Sequence, residues 1–115
     1  MTISRFAQEG RSSGAVVHGD TVYLSGNVNG DRSLGVAGQT RAILEQIDKR
    51  LIEAGSHKSK ILSIHVWLAD ISTFDEMNKA YDAWLDRGNM PARATSGAKL
   101  ASPNYLVEMW AIAAR

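Results

Sequence analysis

The sequence predicts an α+β domain in which two helices pack on one face of a mixed sheet. Two segments carry apolar residues at helical spacing, and runs rich in β-branched residues come before, between and after them. The resulting order is strand, strand, helix, strand, helix, strand, strand, which suits a sheet with one helix-covered face. A chain of 115 residues is long enough for one hydrophobic core and too short for two, so we expect residues 1–115 to form a single domain.

The composition is that of an ordinary globular protein, with 44% hydrophobic and 22% charged residues. The net charge is +1 and the Lys and Arg residues are scattered, which gives no reason to expect a nucleic-acid partner or a charged membrane surface. The first residues lack the apolar core of a secretory signal, and no apolar run approaches about 18 residues. We therefore expect a cytoplasmic protein without a membrane span.

The chain contains no cysteine, which excludes disulfides, a thiol nucleophile and a thiolate metal site. The three histidines, His18, His57 and His65, lie far apart in the sequence and have no acidic or histidine neighbours at metal-ligand spacing. We expect no metal site.

The segment Ala15–Gly26 predicts two strands separated by a turn at His18–Thr21. The chain then leaves strand geometry at Ser25–Asn27, where small polar groups and bare backbone can approach a ligand closely. Residues 27–35, which are rich in Gly, Asn, Asp and Ser, predict a loop.

Val36–Ala54 predicts the first helix, because Ile43, Ile47 and Leu51 recur at intervals of four residues. Gly55 follows the last of these repeats, at the position of a C-terminal cap.

The next strand is predicted at Ile61–Ala69. Its side chains alternate between two faces, with Leu62, Ile64, Val66 and Leu68 on one and Ser63, His65 and Trp67 on the other. The first face has the composition to lie beneath helices. The second is amphipathic and suits a barrel interior or a subunit contact, so we interpret its histidine as structural.

The second helix is predicted to begin at a capping box formed by Thr73 and Glu76 and to end at Gly88. Its apolar stripe consists of Phe74, Met77, Tyr81 and Trp84. Pro91 then favours an extended approach to the last strands.

The last two strands are expected to form a hairpin, Arg93–Leu100 and Tyr105–Ala114 joined by residues 101–104. In that register Arg93 and Glu108 lie about four positions apart along the strands, or roughly 13 Å at about 3.3 Å per residue. A three- or four-carbon acid cannot bridge this distance within one chain. Either neighbouring subunits share a site or the two residues have unrelated roles.

Arg93 and Glu108 are the most informative residues, because each is an ionisable group among small or apolar neighbours on a predicted strand. The planar guanidinium can donate two parallel hydrogen bonds to a carboxylate. The carboxylate can accept or relay a proton at a water or an imine nitrogen. The alternative is a structural ion pair on the sheet.

These residues and several other segments resemble the RidA family, also called YjgF or reactive intermediate deaminase. The resemblance covers roughly residues 14–114 and is carried by Ala15-Val16-Val17, Val22-Tyr23-Leu24-Ser25-Gly26-Asn27, Gly38-Gln39-Thr40-Arg41, Met77-Asn78-Lys79-Ala80-Tyr81, Pro91-Ala92-Arg93 and Leu106-Val107-Glu108. The Pro-Ala-Arg and Val-Glu elements are its most specific parts.

The resemblance implies a chorismate-mutase-like fold that assembles as a homotrimer, with the sheets forming a central barrel and the ligand sites in clefts between subunits. It implies hydrolytic deamination of 2-imino acids, or their enamine tautomers, to 2-keto acids and ammonia, as in 2-iminobutanoate/2-iminopropanoate deaminases. Imines hydrolyse without help, so no metal or organic cofactor is expected. The expected partners are a small imino or keto acid and further copies of the chain.

The resemblance also implies roles for single residues. Arg93 would hold the substrate carboxylate, assisted by the backbone amide of Thr95, where many relatives have cysteine. Glu108 would activate a water molecule and return a proton to the departing ammonia. Asn78 matches a family asparagine on the second helix; a solvated helix residue or a hydrogen bond to a nearby loop is the alternative.

Ser25, Gly26 and Asn27 match a family segment that approaches the ligand. Relatives often have glutamine at the position of Asn27, so its shorter side chain puts that contact in doubt.

Two further places depart from the family pattern. Relatives with well-defined deaminase activity carry a tyrosine near the ligand, whereas this chain has Gly10-Arg11-Ser12-Ser13 in the aligned segment. Arg11 is either a solvated loop residue or a second positive charge for an anion pocket. Trp110 stands where many relatives have a second acid, and we expect it to fill barrel space.

A second hypothesis is a trimeric module that binds small carboxylates without turning them over, as a sensor or a regulatory partner. The missing tyrosine and the altered Asn27 favour this alternative or a different substrate. A ribonuclease is the least favoured class, because the chain has no basic stripe.

Overall fold

Seven strands and two helices make up the computed structural model, which describes residues 1–115. The strands are β1 (Ile3–Glu9), β2 (Ser12–His18), β3 (Thr21–Leu24), β4 (Asn27–Val28), β5 (Ile61–Leu68), β6 (Ala92–Gly97) and β7 (Val107–Ala114). The helices are α1 (Gly35–Glu53) and α2 (Phe74–Trp84). All strands form one mixed sheet in the order β1-β2-β3-β7-β5-β6, with β4 also paired to β7. The α+β prediction is confirmed.

The N-terminal strand β1 was absent from the prediction. It pairs antiparallel with β2, which begins three residues before the predicted start at Ala15. Nearly all residues of β1 are exposed. Its sequence therefore lacks the alternation of apolar and polar residues by which a half-buried strand is recognised. Ala7 has φ 50° and, with Gly14 opposite it, is left out of the pairing, while the register is the same on both sides.

The core lies between α1 and the sheet. Ile43, Leu44, Ile47 and Leu51 are at most 1% exposed, as their helical spacing predicts. Burying a side chain of this size contributes about 1.5–3 kcal/mol, so this stripe is a major source of the fold's stability. The helix ends as predicted before Gly55, whose φ of 82° is accessible to glycine at little cost. No helix combines the length and the apolar character that a membrane crossing requires.

Strand β5 is in the predicted place, but its first residues are out of the predicted alternation. Ile61 and Ile64 are both buried, whereas Leu62 is 55% exposed. The pairing with β7 shifts between Ile61 and Ser63, so Leu62 sits in an irregularity of the ladder and leaves the core face.

The boundaries of α2 also differ from the prediction. Thr73 makes no side-chain cap, so the predicted capping box with Glu76 is wrong. Asp70 provides the cap one turn earlier: its carboxylate accepts from the Ser72 amide at 2.9 Å, and its carbonyl accepts from Thr73 Oγ1. The helix ends at Trp84 rather than at Gly88, because Leu85 has extended backbone angles.

The predicted hairpin between the last two strands is wrong. Strand β5 lies between them, parallel to β6 and antiparallel to β7. Helix α2 is the crossover that parallel pairing of β5 with β6 requires. The connection from β6 then carries the chain past β5 to the far side, where β7 fills the gap beside β3. Arg93 on β6 and Glu108 on β7 are therefore separated by β5 and do not lie on paired strands.

Candidate functional site

Arg93 lies on β6 with its guanidinium held by α2. Its Nη1 donates to Asn78 Oδ1 at 2.7 Å. Its Cζ lies 4.6 Å from the ring centre of Tyr81 and 5.9 Å from that of Phe74. The residue is half-buried, yet no carboxylate forms an ion pair with it. An unpaired, partly desolvated cation is costly to maintain and is a strong candidate for binding an anion.

The ring beneath this guanidinium is buried. Tyr81 is only 4% exposed, and burial is the main reason that the pKa of its phenol is raised. The positive charge of Arg93 acts in the opposite direction. Tyr81 therefore presents a neutral aromatic face to the cation, an arrangement that stabilises the cation without neutralising it.

Glu108 lies on β7 beside a bare stretch of backbone. It pairs with Val28 on β4 and with Trp67 on β5, and it is half-buried without an ion-pair or hydrogen-bond partner. Its Oε2 occupies the space that a Cβ at Gly26 would fill. The glycine thus allows the carboxylate to lie directly against the backbone of the strand-end segment.

Arg93 and Glu108 lie on opposite faces of the sheet. Arg93 pairs with Ile64, a buried residue on the face covered by helices. Glu108 pairs with Trp67, three residues further along β5 and therefore on the uncovered face. Two strand spacings and three residues along the strand separate their Cα atoms, which is roughly 14 Å. One chain therefore cannot bring both groups to one small molecule.

Thr95 shares the helix-covered face with Arg93. Its Oγ1 is buried and has no hydrogen-bond partner. Strand β6 pairs only with β5, so its outer edge has backbone groups without a neighbouring strand. This edge leaves room for a ligand to meet the backbone next to Arg93.

The other predicted site residues lie beyond β5 from Arg93. Asn27 Nδ2 donates to the Ser25 carbonyl at 3.0 Å, so this side chain folds back on its own segment. Arg11 is exposed in the turn between β1 and β2, at the sheet edge opposite β6. Within one chain the predicted residues therefore divide into two groups. Arg93, Thr95 and Asn78 lie at the β6 edge, whereas Ser25, Gly26, Asn27 and Glu108 lie around β4. Arg11 precedes Ser12, which lines one pocket together with Ser25, Gly26 and Asn27.

The whole chain matches one protein family. The model of the Endoribonuclease L-PSP family covers residues 2–115. The crystal structure of NMB1025, a YjgF-family protein from Neisseria meningitidis, superposes with a TM-score of 0.94 at 39% identity, covering 100% of this chain and 96% of that one. The chain belongs to the RidA/YjgF family. The resemblance in the sequence is thereby confirmed.

Some relatives within the RidA/YjgF family are named only by family, whereas others are named by an activity. The RutC family protein YoaB of Escherichia coli K12 is 43% identical over 117 aligned positions, covering 99% of each chain. A 2-iminobutanoate/2-iminopropanoate deaminase of Rattus norvegicus is 32% identical and aligns with 90% of this chain and 80% of its own length. A putative translation initiation inhibitor from Salmonella typhimurium has a TM-score of 0.90 at 38% identity, with 99% and 98% coverage.

Sequence reasoning assigned Phe74 and Tyr81 to the helix core and gave them no part in the site. They lie with Asn78 at spacings of four and three residues, which puts all three on one side of α2. That spacing was the available signal. It did not indicate the contact with Arg93, because only the parallel pairing of β6 with β5 places the arginine beneath this side of the helix.

Proposed function

We propose that this protein hydrolyses 2-imino acids, or their enamine tautomers, to 2-keto acids and ammonia. The observation that carries the proposal is Arg93, a half-buried guanidinium fixed by Asn78 and Tyr81 and left without an anionic partner. Its remaining N–H donors match the two oxygens of a substrate carboxylate. The rat deaminase among the relatives supports this choice of substrate class.

Glu108 has the properties of the proton-transfer group. Its carboxylate has no partner that would occupy its oxygens, and Gly26 leaves open backbone beside it. It would take a proton as a water molecule adds to C2 of the iminium group. It would then return that proton to the nitrogen. As the C–N bond breaks and the C2 carbonyl forms, it would accept the proton of the C2 hydroxyl and pass it to the departing ammonia. Clamping of the carboxylate by Arg93 would fix C2 relative to the water.

The active site would be shared between subunits of a homotrimer. Arg93 lies at the β6 edge of the sheet, and Glu108 lies on the uncovered face, so the β6 edge of one subunit must approach the uncovered face of its neighbour. That face exposes large apolar groups, with Tyr23 43% and Trp110 39% exposed. Contact between subunits would cover them, as in a barrel built from three sheets.

The test compares two site variants with two matched surface variants. Imines generated by an amino-acid oxidase are followed by ammonia release and by semicarbazide trapping. Arg93→Ala should lower both keto-acid affinity and kcat/KM at least tenfold, since a charge-assisted bidentate contact contributes about 1.5–3 kcal/mol. Glu108→Gln should lower kcat while keto-acid affinity is nearly kept. The exposed α1 residues Arg41 and Glu45 supply the controls Arg41→Ala and Glu45→Gln.

Three results would contradict parts of this proposal. Intact keto-acid binding by Arg93→Ala would place the carboxylate clamp elsewhere, with Arg11 the first residue to test. Wild-type turnover by Glu108→Gln would make that acid structural. Keto-acid binding without acceleration of any imine would favour the non-catalytic module that binds small carboxylates.

A further inference from the structure

A small pocket opens beside Glu108 on the uncovered face of the sheet. Its volume is about 210 Å³, and it is lined by Trp67, Ala98, Lys99, Leu100, Ala101 and Glu108. Four of these six residues are apolar, and they come from β5 and from the connection that follows β6. The carboxylate that we assign to proton transfer therefore borders an apolar compartment of its own chain.

One wall of this pocket is supported by contacts within the sheet. The indole of Trp67 stacks on the His65 ring with centroids 4.2 Å apart and an angle of 28° between the planes. His65 Nε2 in turn lies 3.4 Å from Ser96 Oγ on the neighbouring strand. The histidine of this stack, which the sequence analysis interpreted as structural, packs against the indole and supports it.

The connection that forms the other wall is tied down at both ends. The amide of Ala98 donates to the Leu68 carbonyl at 2.9 Å. At the far end, the fully buried Gln39 accepts from the Leu106 amide and donates to the Asn104 carbonyl, both at 2.9 Å. The loop is thus anchored to β5 at one end and to α1 at the other.

We infer that this pocket receives the substrate side chain and selects 2-imino acids with medium-sized apolar side chains, such as those derived from leucine. The inference rests on the proposed function, because it assumes that C2 of the substrate lies at Glu108. A pocket of about 210 Å³ is several times the roughly 30 Å³ that one water molecule occupies in the liquid. A methyl group would leave most of it empty, whereas a four-carbon chain would cover Trp67 and Leu100 with apolar surface.

Lys99 is the one basic group in the lining. It is exposed, so its ammonium group remains in water while the carbon stem borders the pocket. A dicarboxylic substrate would need this charge inside the pocket. The competing specificity, for substrates with an acidic side chain, is therefore an explicit outcome of the test.

The experiment measures kcat/KM for imines made from L-leucine, L-alanine and L-glutamate, together with the affinities of 4-methyl-2-oxopentanoate and pyruvate. Wild-type protein should favour the leucine-derived imine over the alanine-derived one by at least about tenfold, since single methylenes in apolar pockets discriminate by this order. Trp67→Ala should reduce that ratio at least fivefold, and Trp67→Phe should restore most of it. Ala101→Leu, which fills the pocket from an exposed loop position, should reduce it as well. Ile52→Ala, on the exposed surface of α1, is the control whose ratio stays at the wild-type value.

Equal ratios in wild-type protein and all variants would overturn the inference, provided that the alanine-derived imine is still hydrolysed faster than without protein. It would also be overturned if the glutamate-derived imine were preferred and Lys99→Met abolished that preference. Failure to hydrolyse any imine would instead count against the proposed function. The two oxo-acid affinities would still test the pocket in that case, because an unchanged affinity ratio in Trp67→Ala and Ala101→Leu would exclude it as a side-chain site.

Discussion

Arg93 and Glu108 point to opposite faces of one sheet, with strand β5 between the strands that carry them. Each side chain is ionisable, half-buried and free of an oppositely charged neighbour. The structural ion pair that the sequence left open as an alternative is therefore wrong. What remains is two charges without counter-ions, which either serve one reaction across a contact between two chains or have unrelated roles.

The hydrogen bond from Arg93 to Asn78 orients the guanidinium without cancelling its charge. Asn78→Asp would keep the geometry but supply an anion at the same point, so the arginine would form an internal salt bridge. We expect keto-acid affinity to fall at least tenfold in Asn78→Asp and by less in Asn78→Ala, which loses only the orientation. Titration calorimetry with pyruvate measures both. Equal affinity in Asn78→Asp and wild-type protein would show that this arginine does not bind the carboxylate.

The aromatic support of Arg93 gives a second prediction. A cation over a desolvated ring gains about 0.5–2 kcal/mol, so Tyr81→Leu should weaken keto-acid binding by a few-fold or more. Tyr81→Phe keeps the ring and should bind nearly as well as wild-type protein. Thermal unfolding of both variants separates this effect from loss of packing. An equal loss of affinity in the two variants would mean that the hydroxyl, and not the ring face, matters.

The buried phenol also predicts a pH dependence of stability. Because burial raises the pKa of Tyr81 in the folded state, the unfolded chain loses this proton first as pH rises above about 10. The native state then binds more protons than the unfolded state, so the free energy of unfolding falls as pH rises. Urea denaturation between about pH 8 and 11 should show a shallower alkaline decline for Tyr81→Phe than for wild-type protein. If the free energy of unfolding declined equally with pH in both proteins, the raised pKa of Tyr81 would be contradicted.

Features that depend on neighbouring residues in the sequence could be predicted, whereas features that depend on contacts between distant segments could not. The stripe of Ile43, Ile47 and Leu51 is set by one helix's own period, and it was predicted correctly. The chemical types of Arg93 and Glu108 were also evident, since charges among apolar strand residues stand out. The order of the strands in the sheet could not be predicted in this way, because strand pairing depends on segments that are distant in the sequence. A hairpin would have put both residues on one face, whereas insertion of β5 puts them on opposite faces.

Contacts between distant segments were equally hidden. The family resemblance implied that the strand-end segment and Glu108 both approach a ligand, but no local pattern indicated that Glu108 would lie against Gly26. The same applies to the pocket beside Trp67, which needs β5 and the connection after β6 at once. Strand β1 was not predicted for another reason. An exposed edge strand has no buried face, so its sequence shows no alternation of apolar and polar residues.

The contact between Gly26 and Glu108 gives a fourth prediction. A Cβ at position 26 would overlap Oε2, but this atom ends a flexible side chain and can move away. Gly26→Ala should therefore fold with nearly wild-type stability, retain keto-acid affinity and lose kcat, because the proton-transfer group is displaced. Gly30→Ala is the matched control, since its Cβ would meet only Tyr105 Cε1, at an ordinary 3.7 Å. A wild-type kcat in Gly26→Ala would show that the position of this carboxylate does not limit turnover.

Subunit mixing tests most directly whether the site is shared. In a homotrimer with each site built from Arg93 of one chain and Glu108 of the next, an equal mixture of Arg93→Ala and Glu108→Gln chains has about one quarter of its sites complete. Co-expression of the two inactive variants should thus recover about one quarter of wild-type activity. An equal mixture of wild-type chains with the double variant should also give about one quarter. Sites contained within single chains predict no recovery in the first mixture and about one half in the second. Light scattering must give a trimeric mass for every mixture, and a monomeric mass for the wild-type protein would remove the basis of the shared site.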